Sequence, residues 1–176
     1  MRPISAVPPI DTDRLTLRGH TLEDFEESAA MWADPLVTRY IGGKPLSKEE
    51  VWARLLRSAG LWSLLGYGYW VVRERETGRF AGEVGMADFH RDLVPALDGA
   101  PEVGWILAPW AHGRGFATEA VRAVLDWSDK HLEQRRTVCL IAPENPASIR
   151  VAEKNGFREY ARSTYKGEDT ILFERK

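Results

Sequence analysis

Residues 112–120 read His-Gly-Arg-Gly-Phe-Ala-Thr-Glu-Ala, two glycines around an arginine at the mouth of a helical pattern, just after an apolar stretch. Glycine takes positive φ without steric cost and lets a ligand come close to the main chain. The unpaired N–H groups at a helix start, aligned with the helix dipole, attract anions. Arg114 adds a cation. The loop therefore points to a diphosphate-like anion gripped by main-chain amides; a plain strand-to-helix turn needs only one glycine. A kinase-type loop is excluded, because no Lys-Ser or Lys-Thr pair is present. A dinucleotide fingerprint needs a third glycine where Thr118 stands, and it opens the first βαβ unit of its domain, whereas this loop lies late in the chain.

Other residues offer chemistry around that loop. Glu102 and Glu83 are carboxylates in apolar, strand-like surroundings, where partial burial raises a carboxylate pKa towards the range useful to a general base. Asn145 and Ser148 open another helical segment, as cap and first-turn residue. Tyr165 lies in a late polar stretch, where packing is an equal reading. The single cysteine, Cys139, sits inside the apolar run Thr-Val-Cys-Leu-Ile-Ala and has no electropositive neighbour to activate it, so it is read as core. The four histidines show no pair at metal-ligand spacing, and no metal is expected.

The elements that position these residues follow from periodicity. Residues 14–18 alternate like a half-buried strand, and Thr21 with Asp24 opens a helix that Asp34-Pro35 stops. Ser47 and Glu50 form a capping box, Leu46 and Val51 a hydrophobic staple, and Gly60 is the expected end of that helix. From Tyr67 the period changes to two, giving two antiparallel strands about a turn at Glu76-Thr77-Gly78. Gly82 and Gly85 in the second strand signal a bulge or close backbone approach. Residues 90–101 read as a surface loop. An apolar strand (Val103–Leu107), an amphipathic helix and a buried strand (residues 137–142) then make a βαβ unit with parallel strands. Asn145, Pro146 and Gly156 mark the cap, first turn and left-handed stop of the last helix.

Residues 112–117 resemble the acyl-CoA pyrophosphate loop of the GCN5-related N-acetyltransferase (GNAT) superfamily, [QR]-x-x-G-x-[GA]. Gly115 and Ala117 match, and His112 replaces the usual Gln or Arg. The resemblance spans nearly the whole chain and points to the branch of ribosomal-protein N-terminal acetyltransferases. "DTDRLTLRGHTLEDF" is similar to that branch's opening strand and helix and "YWVVRERETGRFAGEVG" to its central hairpin. "PEVGWILAPWAHGRGFATEA" is similar to its cofactor segment and "ENPASIRVAEKNGF" to its last helix.

The resemblance implies one mixed α/β domain over 1–176. Its mostly antiparallel sheet would have six to seven strands and about four flanking helices, with one parallel βαβ unit. It also implies acetyl-CoA as co-substrate, bound by His112, Gly113, Arg114, Gly115, Phe116, Ala117 and Thr118, with Asn145 and Ser148 beside the pantetheine arm. A main-chain N–H among Trp105, Ile106 and Leu107 would meet the thioester oxygen. Direct attack by an amine needs a proton acceptor, for which Glu102 leads Glu83, and a donor to the thiolate, for which Ser148 leads Tyr165. The acceptor is a protein N-terminal amine or a small-molecule amine; a non-catalytic acyl-CoA sensor is the alternative.

Composition bounds the rest. A formal net charge of −2 over 176 residues argues against a nucleic-acid binder. The aromatic run Leu61–Val72 is too short and glycine-broken to span a bilayer. The lone thiol and the lack of a signal-peptide core give a cytoplasmic expectation, as monomer or homodimer.

Overall fold

The computed structural model describes residues 6–176. One eight-stranded sheet runs through them. Its strands are β1 (Ile10–Asp11), β2 (Leu15–Arg18), β3 (Tyr69–Glu74), β4 (Phe80–Ala87), β5 (Glu102–Leu107), β6 (Thr137–Ile141), β7 (Arg158–Tyr165) and β8 (Glu168–Arg175). The spatial order is β1-β2-β3-β4-β5-β6-β8-β7. Every pairing is antiparallel except β5 with β6. The helices are α1 (Phe25–Trp32), α2 (Pro35–Thr38), α3 (Lys48–Leu65), α4 (Phe116–His131) and α5 (Pro146–Lys154).

Alternation along the strands sends apolar side chains to two cores. On one face Trp70, Val84, Met86 and Val103 pack under α4 with Phe116, Val121 and Val124, and Ala152 of α5 joins them. On the other, Val71 and Phe80 meet Ala29 and Trp32 of α1, Val37 of α2 and Val51 of α3. Trp62, Trp70 and Trp127 meet edge to face, with centroids 4.6–5.5 Å apart, and Trp62 and Trp70 are buried in the core.

The parallel pair positions the site. β5 and β6 share one registered pair, Glu102 with Val138, and diverge beyond it. Val138 N–H bonds to Pro101 O on the β6 side, whereas Ala108 N–H bonds to Ala81 O on the β4 side. Main-chain groups alternate sides along a strand, so the amides of Trp105 and Leu107 face the gap between β5 and β6. Gly82 meets its expected role: its φ is +149°, and a Cβ there would lie 2.1 Å from Ile106 O. A register shift opposite it, between Val72 and Arg73, marks the bulge.

Several expectations are corrected. The sheet has eight strands and the described chain five α-helices, because the two-residue β1 and the four-residue α2 are too short to show a period. Asp34-Pro35 does not simply stop a helix; Asp34 accepts from Leu36 N–H at 2.9 Å and caps α2, with Pro35 in its first turn. α3 runs through Gly60 and ends at Gly66, whose φ is +76°; an interior glycine costs only about 1 kcal/mol, too little to break a capped and packed helix. Thr21 and Asp24 do open the first helical turn as expected, Asp24 accepting from Thr21 N–H at 2.8 Å and from its hydroxyl at 3.1 Å. Asp24 itself is fully buried between Arg18 and Arg73. Burial opposes its ionisation, but hydrogen bonds from both arginines hold it well below the usual carboxylate range. The stretch 90–101 is no simple surface loop, since Arg91 binds Glu102 and Leu93 is buried.

Candidate active site

α4 starts differently from its neighbours. Ser47 accepts from Glu50 N–H at the start of α3, and Asn145 from Ser148 N–H at the start of α5. At α4 the cap position is Gly115, with φ +77°, and it carries no capping side chain. The first main-chain bond of the helix is Glu119 N–H to Gly115 O at 3.1 Å. The amides of Phe116, Ala117 and Thr118 thus lack helical acceptors. Gly113, φ +71°, turns the chain immediately before them. Both glycines adopt the backbone conformation their spacing implies.

These amides border a cleft of about 420 Å³. Trp105, Ile106 and Leu107 of β5 line it, as do His112, Gly113, Gly115, Phe116, Ala117 and Thr118 of the loop and Asn145 and Ser148 of α5. Phe116 is 1% exposed as a whole and its side chain belongs to the core. The His112 ring lies 2.8 Å by Nε2 from Leu107 O. A carbonyl only accepts, so Nε2 donates, and this bond occupies that N–H. His112 therefore braces the loop against the end of β5. A glutamine amide can make the same bond, which fits the residue common at this position in the resembling loop. His112→Ala is expected to lose that bond, costing about 1 kcal/mol and roughly 2–4 °C in melting temperature. His112→Gln should recover most of it, and a thermal melt of the three proteins decides the matter.

Arg114 departs from expectation. Its guanidinium turns out of the cleft to Glu74 at 2.7 Å and lies over Phe116, 4.4 Å from the centroid. The cations that do line the cleft are Arg150 and Lys154 on α5. They are four residues apart and so share a helix face; that spacing was the available signal. Leu36 and Val37 of α2, with Tyr40 and Ile41, form the opposite wall.

Asn145 is the cap of α5 and more. Its Oδ1 accepts from Ser148 N–H at 3.1 Å while its Nδ2 donates to Ser148 Oγ at 3.0 Å. Ser148 Oγ accepts that hydrogen bond, and its own hydroxyl hydrogen, with no acceptor among the described residues, is free to be donated.

The carboxylates lie on the face of the sheet under α1 and α3. Glu102 is 7% exposed, and both its oxygens are held by Arg91 at 2.6 and 2.8 Å. Arg91 in turn covers Tyr165, 4.9 Å from the ring centroid. Tyr165 thus stands with Glu102, not with Ser148, and it does not line the cleft. Glu83, opposite Ile106, is also 7% exposed. Its Oε1 accepts from Ser28 Oγ at 2.6 Å and lies 3.5 Å from His20 Nε2. Burial pushes Glu83 towards the neutral form, but the bond and charge of His20 and the Ser28 hydroxyl carry it below the ordinary carboxylate value. The Tyr69 phenol lies against Gly104, where a Cβ would meet its oxygen at 2.3 Å. Burial and then the charge of Glu102 push that phenol up. Cys139 is 1% exposed, and burial raises its thiol, so it is core. Among the described residues no group of three His, Cys, Asp or Glu side chains is placed to hold a metal ion.

An uncapped helix start beside splayed parallel strands is now joined by a match between residues 14–158 and the family model described as an acetyltransferase (GNAT) domain. The chain belongs to the GNAT acetyltransferases. Bacillus subtilis (strain 168) YkkB, itself uncharacterised, is 31% identical over 180 residues, covering 98% of each chain. A solved protein assigned to the GnaT family, from Bordetella pertussis, is 32% identical with a TM-score of 0.84, covering 96% of this chain and 99% of that one. The ribosomal L7/L12 alpha-N-protein acetyltransferase RimL, solved in complex with coenzyme A, shares the fold at 17% identity and a TM-score of 0.75, over 96% and 97% of the two chains. As a GNAT domain the chain is an acyltransferase, which sets aside the non-catalytic reading. No helix among the described residues is long and apolar enough to cross a membrane.

Proposed function

We propose that the chain moves the acetyl group of acetyl-CoA directly onto the α-amino group of a peptide N-terminus, as expected of the ribosomal-protein acetyltransferase branch. The observation that carries this reading is the uncapped start of α4 opening on the cleft. The amides of Phe116, Ala117 and Thr118 hold the diphosphate, with Arg150 and Lys154 supplying the charge that Arg114 does not. The pantetheine arm follows the gap between β5 and β6. The thioester oxygen is met by the Trp105 or Leu107 amide, since Ile106 points its amide to β4. As negative charge develops on that oxygen the bond strengthens, which is what lowers the barrier. Ser148 donates to the departing thiolate. Its hydroxyl is oriented for this by Asn145.

Proton removal favours Glu83 over Glu102. Protonating Glu102 would weaken two charge-assisted bonds to Arg91, whereas no arginine forks onto Glu83, which is held by Ser28 and His20. A water between amine and Glu83 completes the path. A carboxylate held low is a weak base, which favours acceptors that need little help. An α-amine, with pKa about 7.7–8.0, is roughly a tenth neutral at pH 7; a lysine-type amine at about 10.4 is neutral in well under a thousandth of molecules.

Coenzyme A without the acetyl group should stabilise the protein nearly as well as acetyl-CoA, because the diphosphate is the main handle. At about a hundred times its dissociation constant the gain is roughly 2.7 kcal/mol, or about 5–10 °C in melting temperature. No shift with millimolar coenzyme A overturns the proposal.

A further inference from the structure

Arginines on the face of the sheet under α1 and α3 are not equally answered in charge. Arg91 is neutralised by Glu102, and Arg18 by Asp24. Arg54 and Arg57 of α3 are three residues apart, on one helix face. Neither makes an ion pair or a hydrogen bond with a described residue; their contacts are with rings. The Arg54 guanidinium lies 4.3 Å from the Trp32 ring centroid, and that of Arg57 lies 5.0 Å from Phe89. Arg91 covers the same Phe89 ring at 4.7 Å. Tyr69 feels the charges of Arg54, Arg57 and Arg91 together with that of Glu102, so these groups border one place, the floor beside Gly104.

Arg54 is half-buried, and burial and then the charge of Arg57 weigh against its protonated form more than the charges of Glu83 and Glu50, neither of which pairs with it directly, support it. Two like charges in partly desolvated surroundings repel each other, an arrangement at odds with binding a cation. The cofactor does not answer them. Neither residue lines the coenzyme cleft, whose cations are Arg150 and Lys154. A guanidinium whose contacts are with rings keeps its planar N–H fork unpaired, and that fork takes a carboxylate through two parallel bonds.

We infer that Arg54 and Arg57 bind a carboxylate carried by the acceptor, within one side chain's length of the amine that is acetylated. This rests on the acetyl-transfer reading and names its substrate class: an α-amine with a neighbouring acidic group. Polyamines and aminoglycosides, all cation, are excluded by the same charges. The carboxylate comes from one of two sources, an Asp or Glu side chain at the start of a peptide or the main-chain carboxylate of a free amino acid.

The test uses the full chain with acetyl-CoA, reading free thiol. Peptides beginning Asp or Glu with amidated C-termini are set against the matching Asn and Gln peptides, free aspartate and glutamate, and spermidine. Acidic peptides should have a KM about 10–30-fold below their amide partners, and the gap should shrink as salt is raised. Preference for the free amino acids instead assigns the main-chain carboxylate as the source. Arg57→Gln, at an exposed position, should remove most of the discrimination through KM rather than kcat, and Arg57→Lys should restore part of it. Arg54→Gln should do the same, with calorimetric binding of coenzyme A reporting that the fold and cofactor site survive. Equal kcat/KM for acidic and amide acceptors, a preference for spermidine, or discrimination untouched by Arg57→Gln overturns the inference. Absence of coenzyme A binding and of turnover with any amine would instead bring down the acetyl-transfer reading beneath it.

Discussion

Replacing Gly115 by valine should weaken coenzyme A binding by about a thousandfold or more, from the loss of two or three amide bonds to a charged group at about 1.5–3 kcal/mol each. The position has φ +77°, a conformation that costs an L-residue roughly 1–2 kcal/mol and a β-branched one more. The Cβ would also stand 3.3 Å from Arg14 Nη2, which can yield because it is the end of a flexible side chain. Backbone strain is therefore the main term, and the loop relieves it by rotating away from left-handed geometry. That rotation turns the amides of Phe116 and Ala117 off the cleft. α4 itself stays, because Phe116, Ala120, Val121 and Val124 are packed in the core. Titration calorimetry with coenzyme A should thus show no heat at concentrations saturating the parent, while the unliganded melting temperature falls by only a few degrees. Binding within tenfold of the parent would mean that the diphosphate is held elsewhere.

The Gly113–Gly115 pair was legible in the sequence because its constraint is local. Positive φ depends on a residue's own Cβ, and a cap depends on a side chain three residues from the amide it serves. Ser47 with Glu50, Asn145 with Pro146, and Gly156 were readable for the same reason. Arg114 was not, because its partner Glu74 lies forty residues away and the contact exists only once β3 and the loop have met. Likewise, the sequence marks Glu102 as a carboxylate opening a buried strand, but the arginine that occupies both its oxygens sits in what reads as a surface loop. In the proposed mechanism the order of the two candidate bases turns on that one pair, eleven residues apart in sequence. Arg54 and Arg57 show the same limit from the other side. In sequence they are ordinary surface residues of an amphipathic helix, and only the folded chain shows that no carboxylate among the described residues pairs with them directly; Glu83 and Glu50 reach Arg54 only as more distant charges. Local rules set the cofactor loop; charge complementarity across elements sets the acceptor side.

Glu83→Gln tests that complementarity at the reacting centre. The substitution keeps an oxygen to accept the Ser28 hydroxyl, now 2.6 Å from Oε1, so the α1–β4 contact should survive. It removes the proton acceptor, and loss of a positioned base costs about 10²–10⁴ in rate, read in kcat with little change in the KM for acetyl-CoA. The pH dependence carries the sign. Because His20 and Ser28 outweigh burial and hold Glu83 below the ordinary carboxylate value, it is already ionised throughout the neutral range and contributes no acid limb there. In the parent, kcat/KM for a peptide acceptor should instead climb with the neutral fraction of its amine and level off near pH 8. Glu102→Gln should behave differently. It leaves Arg91 short of its carboxylate partner, so its main cost falls on thermal stability, with kcat within about tenfold of the parent. Should Glu102→Gln abolish turnover while Glu83→Gln retains it, the base is Glu102, and Arg91 must leave it during the reaction. The split between kcat and melting temperature across the two variants separates these cases, because only the true proton acceptor loses rate without losing fold.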